Sequence, residues 1–163
     1  MTWKYGILRT YGQKVKERGF GGVIANIEEL PAPFSPVIYI VKDPDTHEVK
    51  SVGRTNNALQ RYTNYCSPNM AKSKRSKREQ WQVDLREQGK RPIMELIVLC
   101  HNDQEAKLLE PLWDIHYREQ GHDLVNADKY PVRYIQLAKR AMKERANMID
   151  RMDRMIELYN AGY

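Results

Sequence analysis

The side chains able to do chemistry are unevenly spread along this chain. Lys72, Lys74, Arg75, Lys77 and Arg78 place five cations in seven positions, with Ser73 and Ser76 between them. Such a run is usually a solvated loop; its functional alternative is contact with phosphate oxygens beside a nucleic-acid duplex. Three isolated groups pose the same choice. Tyr39 stands in an apolar, β-branched segment, where a tyrosine ordinarily buries its ring and leaves its hydroxyl at the edge. Glu110 alone is a solvated helix residue or a partner for Lys107, and Arg61 alone is a surface arginine. Zinc and thiol chemistry are not expected. The four histidines, His47, His101, His116 and His122, lack ligand spacing, since His116 and His122 are six apart with Gly121 between them. Neither Cys66 nor Cys100 has the local signature of a catalytic thiol, and Cys100, ending an apolar run, reads as packing.

Composition narrows the classes. Of 163 residues, 41% are hydrophobic and 29% charged, and 27 Lys and Arg against 21 Asp and Glu give a net charge of +6. That is enough apolar material for one self-folding domain with an appendage, so disorder is not expected. No stretch approaches the roughly 18 apolar residues of a membrane span, and Met1 to Gly6 lack the apolar run of a signal peptide. Membrane insertion and ordinary secretion are therefore not expected. Two cysteines this far apart suit neither a disulfide framework nor a cysteine zinc site, which points to the reducing cytosol. Net positive charge favours a nucleic-acid partner only modestly.

The elements that must position these groups can be read from punctuation and periodicity. Residues 1–35 mix aromatic, basic and glycine residues, including Gly19-Phe20-Gly21-Gly22, and end in a proline-rich stretch, Leu30 to Pro36, that forbids regular helix. They read as an N-terminal extension. Val37-Ile38-Tyr39-Ile40-Val41 and Val49-Lys50-Ser51-Val52-Gly53 flank Asp43-Pro44-Asp45-Thr46 and predict a β-hairpin. Asn56 or Asn57 caps a short helix from Ala58 to about Asn64. Arg78 to Gln88 reads as a helix with Trp81 and Leu85 on one face and Gly89 as its stop. Pro92 to Leu99 is almost continuously apolar, as a central strand would be. Asp103 is placed to cap a helix running to Gly121, with a kink or early break at Pro111. Finally, 132–160 carries Ile135, Ala138, Met142, Ile149, Met152, Ile156 and Tyr159 at three-four spacing, interrupted by Arg145. That is an amphipathic helix about 40 Å long, packed along a core or pairing as a dimerising coil.

Certain residues sit at telling offsets in this order. Val37-Ile38-Tyr39, then Ser51-Val52-Gly53-Arg54-Thr55, then Leu59-Gln60-Arg61, resembles the GIY-YIG nuclease superfamily, in which two short strand motifs precede a helix bearing an arginine. Trp81 through Pro92 looks like that family's helix and glycine turn before its third strand. Glu105 to Glu110 is similar to its helix with the metal-binding glutamate, and Gly121 to Ala127 resembles its closing asparagine segment. Each fragment alone is weak; their order over about residues 36–127 is fairly specific.

The resemblance implies a mixed α/β fold with a small antiparallel three-stranded sheet flanked by helices: an extension 1–35, a core 36–127 and a C-terminal helical extension 128–163 for DNA contact or dimerisation. It implies a DNA endonuclease, in which Glu110 holds one Mg²⁺ or Mn²⁺ alongside waters and phosphate. Arg61 offsets charge on the phosphate, Tyr39 helps activate the water, Asn126 orients the site and Arg54 contacts phosphate. Two positions depart from the pattern. Val37 replaces the first motif's glycine, and Ser51 stands where the second motif usually bears tyrosine, so either Tyr65 or Tyr62 fills that space from the short helix or activity is weakened. Tyr65, one helical turn after Arg61, is the preferred third group. The expectation is thus a nicking or double-strand-cutting enzyme of phage, mobile-element or restriction origin in the host cytosol, with DNA as partner, RNA as an open alternative, and a homodimer through 132–160. A catalytically weak nucleic-acid-binding protein on the same scaffold and a nuclease toxin are the rival readings.

Overall fold

The computed structural model describes Lys14 and residues 24–126 and 132–162. The glycine motif at 19–22, most of the expected N-terminal extension and Ala127 lie outside the described residues. The chain divides into two compact units, Met1–Asp128 and Lys129–Tyr163.

The first unit is a mixed α/β arrangement. Its described elements are β1 (Ile24–Ala25), a 3₁₀ turn (Ile27–Glu29), β2 (Val37–Lys42), β3 (Val49–Thr55), α1 (Ala58–Cys66), α2 (Lys77–Glu87), β4 (Ile93–Leu99) and α3 (Asp103–Glu119). The sheet order is β1-β4-β2-β3. β2 is antiparallel to both β3 and β4, giving the expected three strands. The expected purely antiparallel sheet needs correcting, because β1 adds a fourth strand parallel to β4, with Ile24 opposite Met94. Ile24, Ile27 and Leu30 are all essentially buried, so this part of the proline-rich leading segment packs into the core rather than trailing from it. A two-residue strand followed by a 3₁₀ turn carries no periodicity long enough to be seen in sequence.

Local signals set the element ends. The hairpin turn closes on the Asp43 carboxylate, which accepts the N–H groups of Asp45 at 2.9 Å and Thr46 at 3.1 Å. Asn57 caps α1 by accepting from the Gln60 N–H, and Ser76 caps α2 by accepting from that of Glu79. α3 is capped by Asn102 rather than Asp103, the Asn102 side chain accepting the Glu105 N–H at 2.9 Å. It runs through Pro111 without the expected early break. The Pro111 ring is fully buried.

Strand pairing assigns the side chains to two faces. Val37, Tyr39, Val41, Met94 and Leu96 form one face and pack with Ala58, Tyr62 and Tyr65 of α1 and with Ile24, Ile27 and Leu30. The other face is covered by α3, which packs chiefly on β3. Tyr39 pairs with Gly53 across the hairpin. A Cβ on Gly53 would fall 2.6 Å from Cζ of Tyr39 and closer still to its hydroxyl, so the ring lies directly across the glycine. The second unit is the single helix α4 (Val132–Asn160), whose Met152, Met155, Ile156 and Tyr159 are exposed at three-four spacing. No helix among the described residues is long and apolar enough to cross a membrane.

Gly53→Ala should cost about 1–3 kcal/mol, as overpacking does, and most of that cost should vanish when Tyr39 is also alanine. Urea midpoints of the four proteins in this double-mutant cycle check it; a harmless Gly53→Ala beside wild-type Tyr39 would contradict the close approach.

Candidate active site

The edge position of β3 makes the site. Its outer edge is partly covered by the segment after α3, which is laced along it. Val125 donates its N–H to the Lys50 carbonyl at 2.6 Å, the Val49 N–H donates to His122 Nδ1 at 3.2 Å, and the Asp123 N–H donates to Glu48 at 3.1 Å. This lacing reaches Val52, whose carbonyl accepts from the Asn126 side chain at 3.3 Å. At the next residue, Gly53, a polar cavity of about 230 Å³ opens. Because Gly53 has no side chain, the cavity takes walls from both faces of the sheet. Tyr39, Ser51, Arg61 and Tyr65 come from one side, and Arg54, Glu110 and Asn126 from the other, with Arg78 added by α2. Positions spread from 39 to 126 thus meet in one place.

The tyrosine side is buried and closely coupled. Tyr39 is 2% exposed, and its ring meets that of Tyr65 edge-on with centroids 6.1 Å apart. Burial, and then the adjacent Tyr65, push the Tyr39 hydroxyl well above the ordinary tyrosine range, against a smaller downward pull from Arg61 and Arg78. The phenol is therefore neutral and acts as a hydrogen-bonding group unless more positive charge arrives. Ser51 is buried, and its hydroxyl lies 2.9 Å from that of Tyr65. A serine in this strand position leaves room for a phenol delivered from α1. Arg78 sits over the other aromatic, 5.9 Å from the Tyr65 ring centroid. Tyr62 points elsewhere, donating its hydroxyl to the Pro92 carbonyl at 3.1 Å.

The acidic side is a stripe on α3. Glu110, Asp114 and Arg118 recur every fourth residue and so share one helix face. Glu110 pairs with Arg54 at 3.0 Å and is mostly shielded, with 18% of its side chain exposed. Asp114 is buried and accepts from Arg118 at 2.7 Å and from the Asn126 amide at 2.9 Å. Arg118 also donates to the Asn126 backbone carbonyl at 2.9 Å. The Asn126 amide nitrogen therefore has two acceptors, Asp114 and Val52, which fixes the amide's orientation. Its Oδ1 is left buried with no hydrogen-bond partner. Such an atom beside a polar cavity marks a place where a water, ion or ligand group completes the bonding.

Asp114 and Arg118 were not singled out from the sequence, although their four-residue spacing on the Glu110 face was a usable signal. The basic run is only partly gathered here. Arg78 reaches the cavity, but Lys72 pairs with Glu79 at 2.7 Å, Lys77 with Asp123 at 2.8 Å, and Arg75 donates to the Met70 carbonyl at 2.9 Å. Lys74 is exposed. The run thus serves partly to fold its own loop onto the start of α2.

The groups in this cavity able to ligate a divalent cation are oxygens, among them the Glu110 carboxylate, the tyrosine hydroxyls and the unpartnered Asn126 Oδ1. A cation there would share the space with Arg54, Arg61 and Arg78 and displace Arg54 from its 3.0 Å pairing with Glu110. Among the described residues no group of three or more His, Cys, Asp or Glu side chains is placed to hold a metal. One carboxylate with neutral oxygens fits a hard cation that keeps several waters and takes its remaining ligands from phosphate, and does not fit a closed zinc site. No family model, curated protein or solved structure matches the chain.

Because Tyr39 keeps its proton in the folded state at pH values where an unfolded tyrosine loses it, its contribution is constant below about pH 10 and stability falls as pH rises beyond that. Tyr39→Phe should make this alkaline fall shallower by up to about 1.4 kcal/mol per pH unit. Part of the fall should remain, because burial raises Tyr62 and Tyr117 in the same direction. Urea midpoints between about pH 8 and 11 read the difference; identical slopes would contradict a buried, neutral Tyr39.

Proposed function

We propose that this chain is a metal-dependent endonuclease that hydrolyses phosphodiester bonds in DNA, built on a GIY-YIG-like core. The observation that carries the reading is the convergence of Tyr39, Arg61, Tyr65, Glu110 and Asn126, all chosen from motif order, on one cavity of about 230 Å³. Phosphodiester hydrolysis needs an oriented water, positive charge beside the phosphate, and in-line geometry. Arg54 and Arg61 bind the phosphate oxygens, a task that suits planar guanidinium groups. Glu110 would hold a Mg²⁺ or Mn²⁺, which when bound would supply further positive charge at the reacting phosphate. Neutral Tyr39, with Tyr65 beside it, hydrogen-bonds and orients the attacking water. Asn126 offers Oδ1 as a fixed acceptor, held there by Asp114.

One such cavity cuts one strand at a time, so the simplest product is a nick; double-strand cutting calls for a homodimer, for which the exposed apolar stripe of α4 is the natural surface. Phage or mobile-element homing or interference is the favoured role, followed by restriction. A second reading, nucleic-acid binding without cleavage, draws support from Ser51, which places a hydroxyl where the family pattern has a phenol.

Purified wild type should convert supercoiled plasmid to nicked or linear forms with Mg²⁺ or Mn²⁺ and not with EDTA. Glu110→Ala should lower that rate by about a hundredfold or more, on the scale of removing one charge-stabilising group. Bound but uncut DNA in every condition would favour the second reading, and a fully active Glu110→Ala would remove the assignment.

A further inference from the structure

A second polar cavity, of about 240 Å³, adjoins the first and shares Arg54 and Arg61 with it. Its remaining walls come from the junction of β3 and α1, through Thr55 and Asn56, and from the opening turns of α3, through Asp103 and Lys107. Arg54, Arg61 and Lys107 line it with one carboxylate, Asp103; even with Arg54 offset by its pairing to Glu110, positive charge is in excess by one, so the cavity favours an anion. Its neutral lining residues are Thr55, Asn56 and Ala106, of which the first two hydrogen-bond. Thr55 Oγ1 accepts the Asn57 N–H at 3.0 Å, which leaves its hydroxyl hydrogen to donate into the cavity. Among the described residues that line it there is no aromatic ring on which a base could stack. The recognition chemistry is that of a phosphate group, not a nucleobase.

The shared arginines decide which phosphate. A guanidinium has five donors in a planar fork, so Arg54 and Arg61 can each serve an anion on either side. Two phosphate-binding cavities with common walls match two consecutive phosphates of a single strand. We propose that the second cavity seats the phosphate next to the scissile one on the cleaved strand, with Lys107 as its dedicated cation. This rests on the nuclease reading and extends it, because it gives the strand a direction across the protein: from the Tyr39–Glu110 cavity, past the two arginines, toward the start of α3. Lys107 acts here on binding and orientation, not on the bond that breaks.

Methylphosphonate interference tests this directly. A duplex centred on the bound site, mapped by cleavage or by footprinting, is made with one phosphate at a time replaced by a neutral methylphosphonate, and its binding is measured in EDTA. Wild type should lose about five- to tenfold in affinity when the scissile phosphate or one adjacent phosphate is neutral, on the scale of one lost charged contact. Lys107→Ala should bind the unmodified duplex more weakly by a similar factor and become indifferent to the adjacent substitution, while keeping its sensitivity at the scissile position. Its slope of log affinity against log salt should fall by about one. Lys107→Arg should restore the wild-type pattern, which a loss of fold in the alanine variant would not explain. An unchanged interference pattern in Lys107→Ala overturns the subsite alone, whereas absence of both binding and cleavage by wild type, in EDTA and with Mg²⁺ or Mn²⁺ alike, overturns the subsite and the nuclease reading together.

Discussion

The site depends on the passage of the Tyr39 ring across Gly53. The two residues face each other in the hairpin, and the space a Cβ would occupy on Gly53 is taken by the phenol. This contact has two effects at once. It carries the hydroxyl of a buried tyrosine to the outer edge of the sheet, and it leaves that edge without a side chain where residues from the opposite face must arrive. A glycine one residue away would achieve neither, since alternate strand positions point to opposite faces.

Around that gap, each supporting element has a definite job. The hairpin sets the register, with Ser51 two residues before Gly53 on the Tyr39 face. α1 packs Tyr65 into the space above Ser51 and presents Arg61 one turn earlier. α2 brings Arg78 over the Tyr65 ring, and the Arg86 guanidinium holds the end of α2 to the Cys66 carbonyl at 2.9 Å. α3 projects Glu110 and Asp114 from one face, and the segment 122–126 seals the sheet edge up to Val52. Many of the hydrogen bonds around the cavity join positions more than 70 apart, and the buried polar atom left without a partner there is Asn126 Oδ1. Buried polar groups without partners are costly, so a fixed acceptor facing a polar cavity is best understood as reserved for what binds there.

Much of this was legible from residues 36–127. The apolar β-branched runs gave β2, β3 and β4, and Asn57, one of the two candidates, caps α1; the Ser76 cap of α2 was not read from the sequence. Tyr39, Ser51, Arg61, Tyr65, Glu110 and Asn126, each picked out in the sequence, line one cavity. What escaped detection was short or relational. β1 has two residues, too few for a pattern, and its burial depends on a pairing with β4 some 70 positions away, the same separation as the Asn26 side-chain bond to the Leu96 carbonyl. α3 continues through Pro111, whose ring is buried in the folded chain, a tertiary setting that local propensity does not register. The role of Asp114 follows from its bond to Asn126, twelve residues on and visible only in three dimensions. The basic run is divided in three dimensions: Lys72 and Lys77 pair with acidic neighbours, and Arg78 is the one of the five that lines the cavity, a division that charge density along the chain does not show.

The most direct test of a single oxygen-lined cation site is paramagnetic broadening by Mn²⁺ in two-dimensional ¹H–¹⁵N spectra of the wild-type chain. Substoichiometric Mn²⁺ should first erase the backbone signals of Gly53, Glu110 and their neighbours and the side-chain amide of Asn126, which line one cavity in three dimensions though far apart in sequence. Broadening that begins elsewhere, or spreads evenly over the acidic surface, would contradict the account.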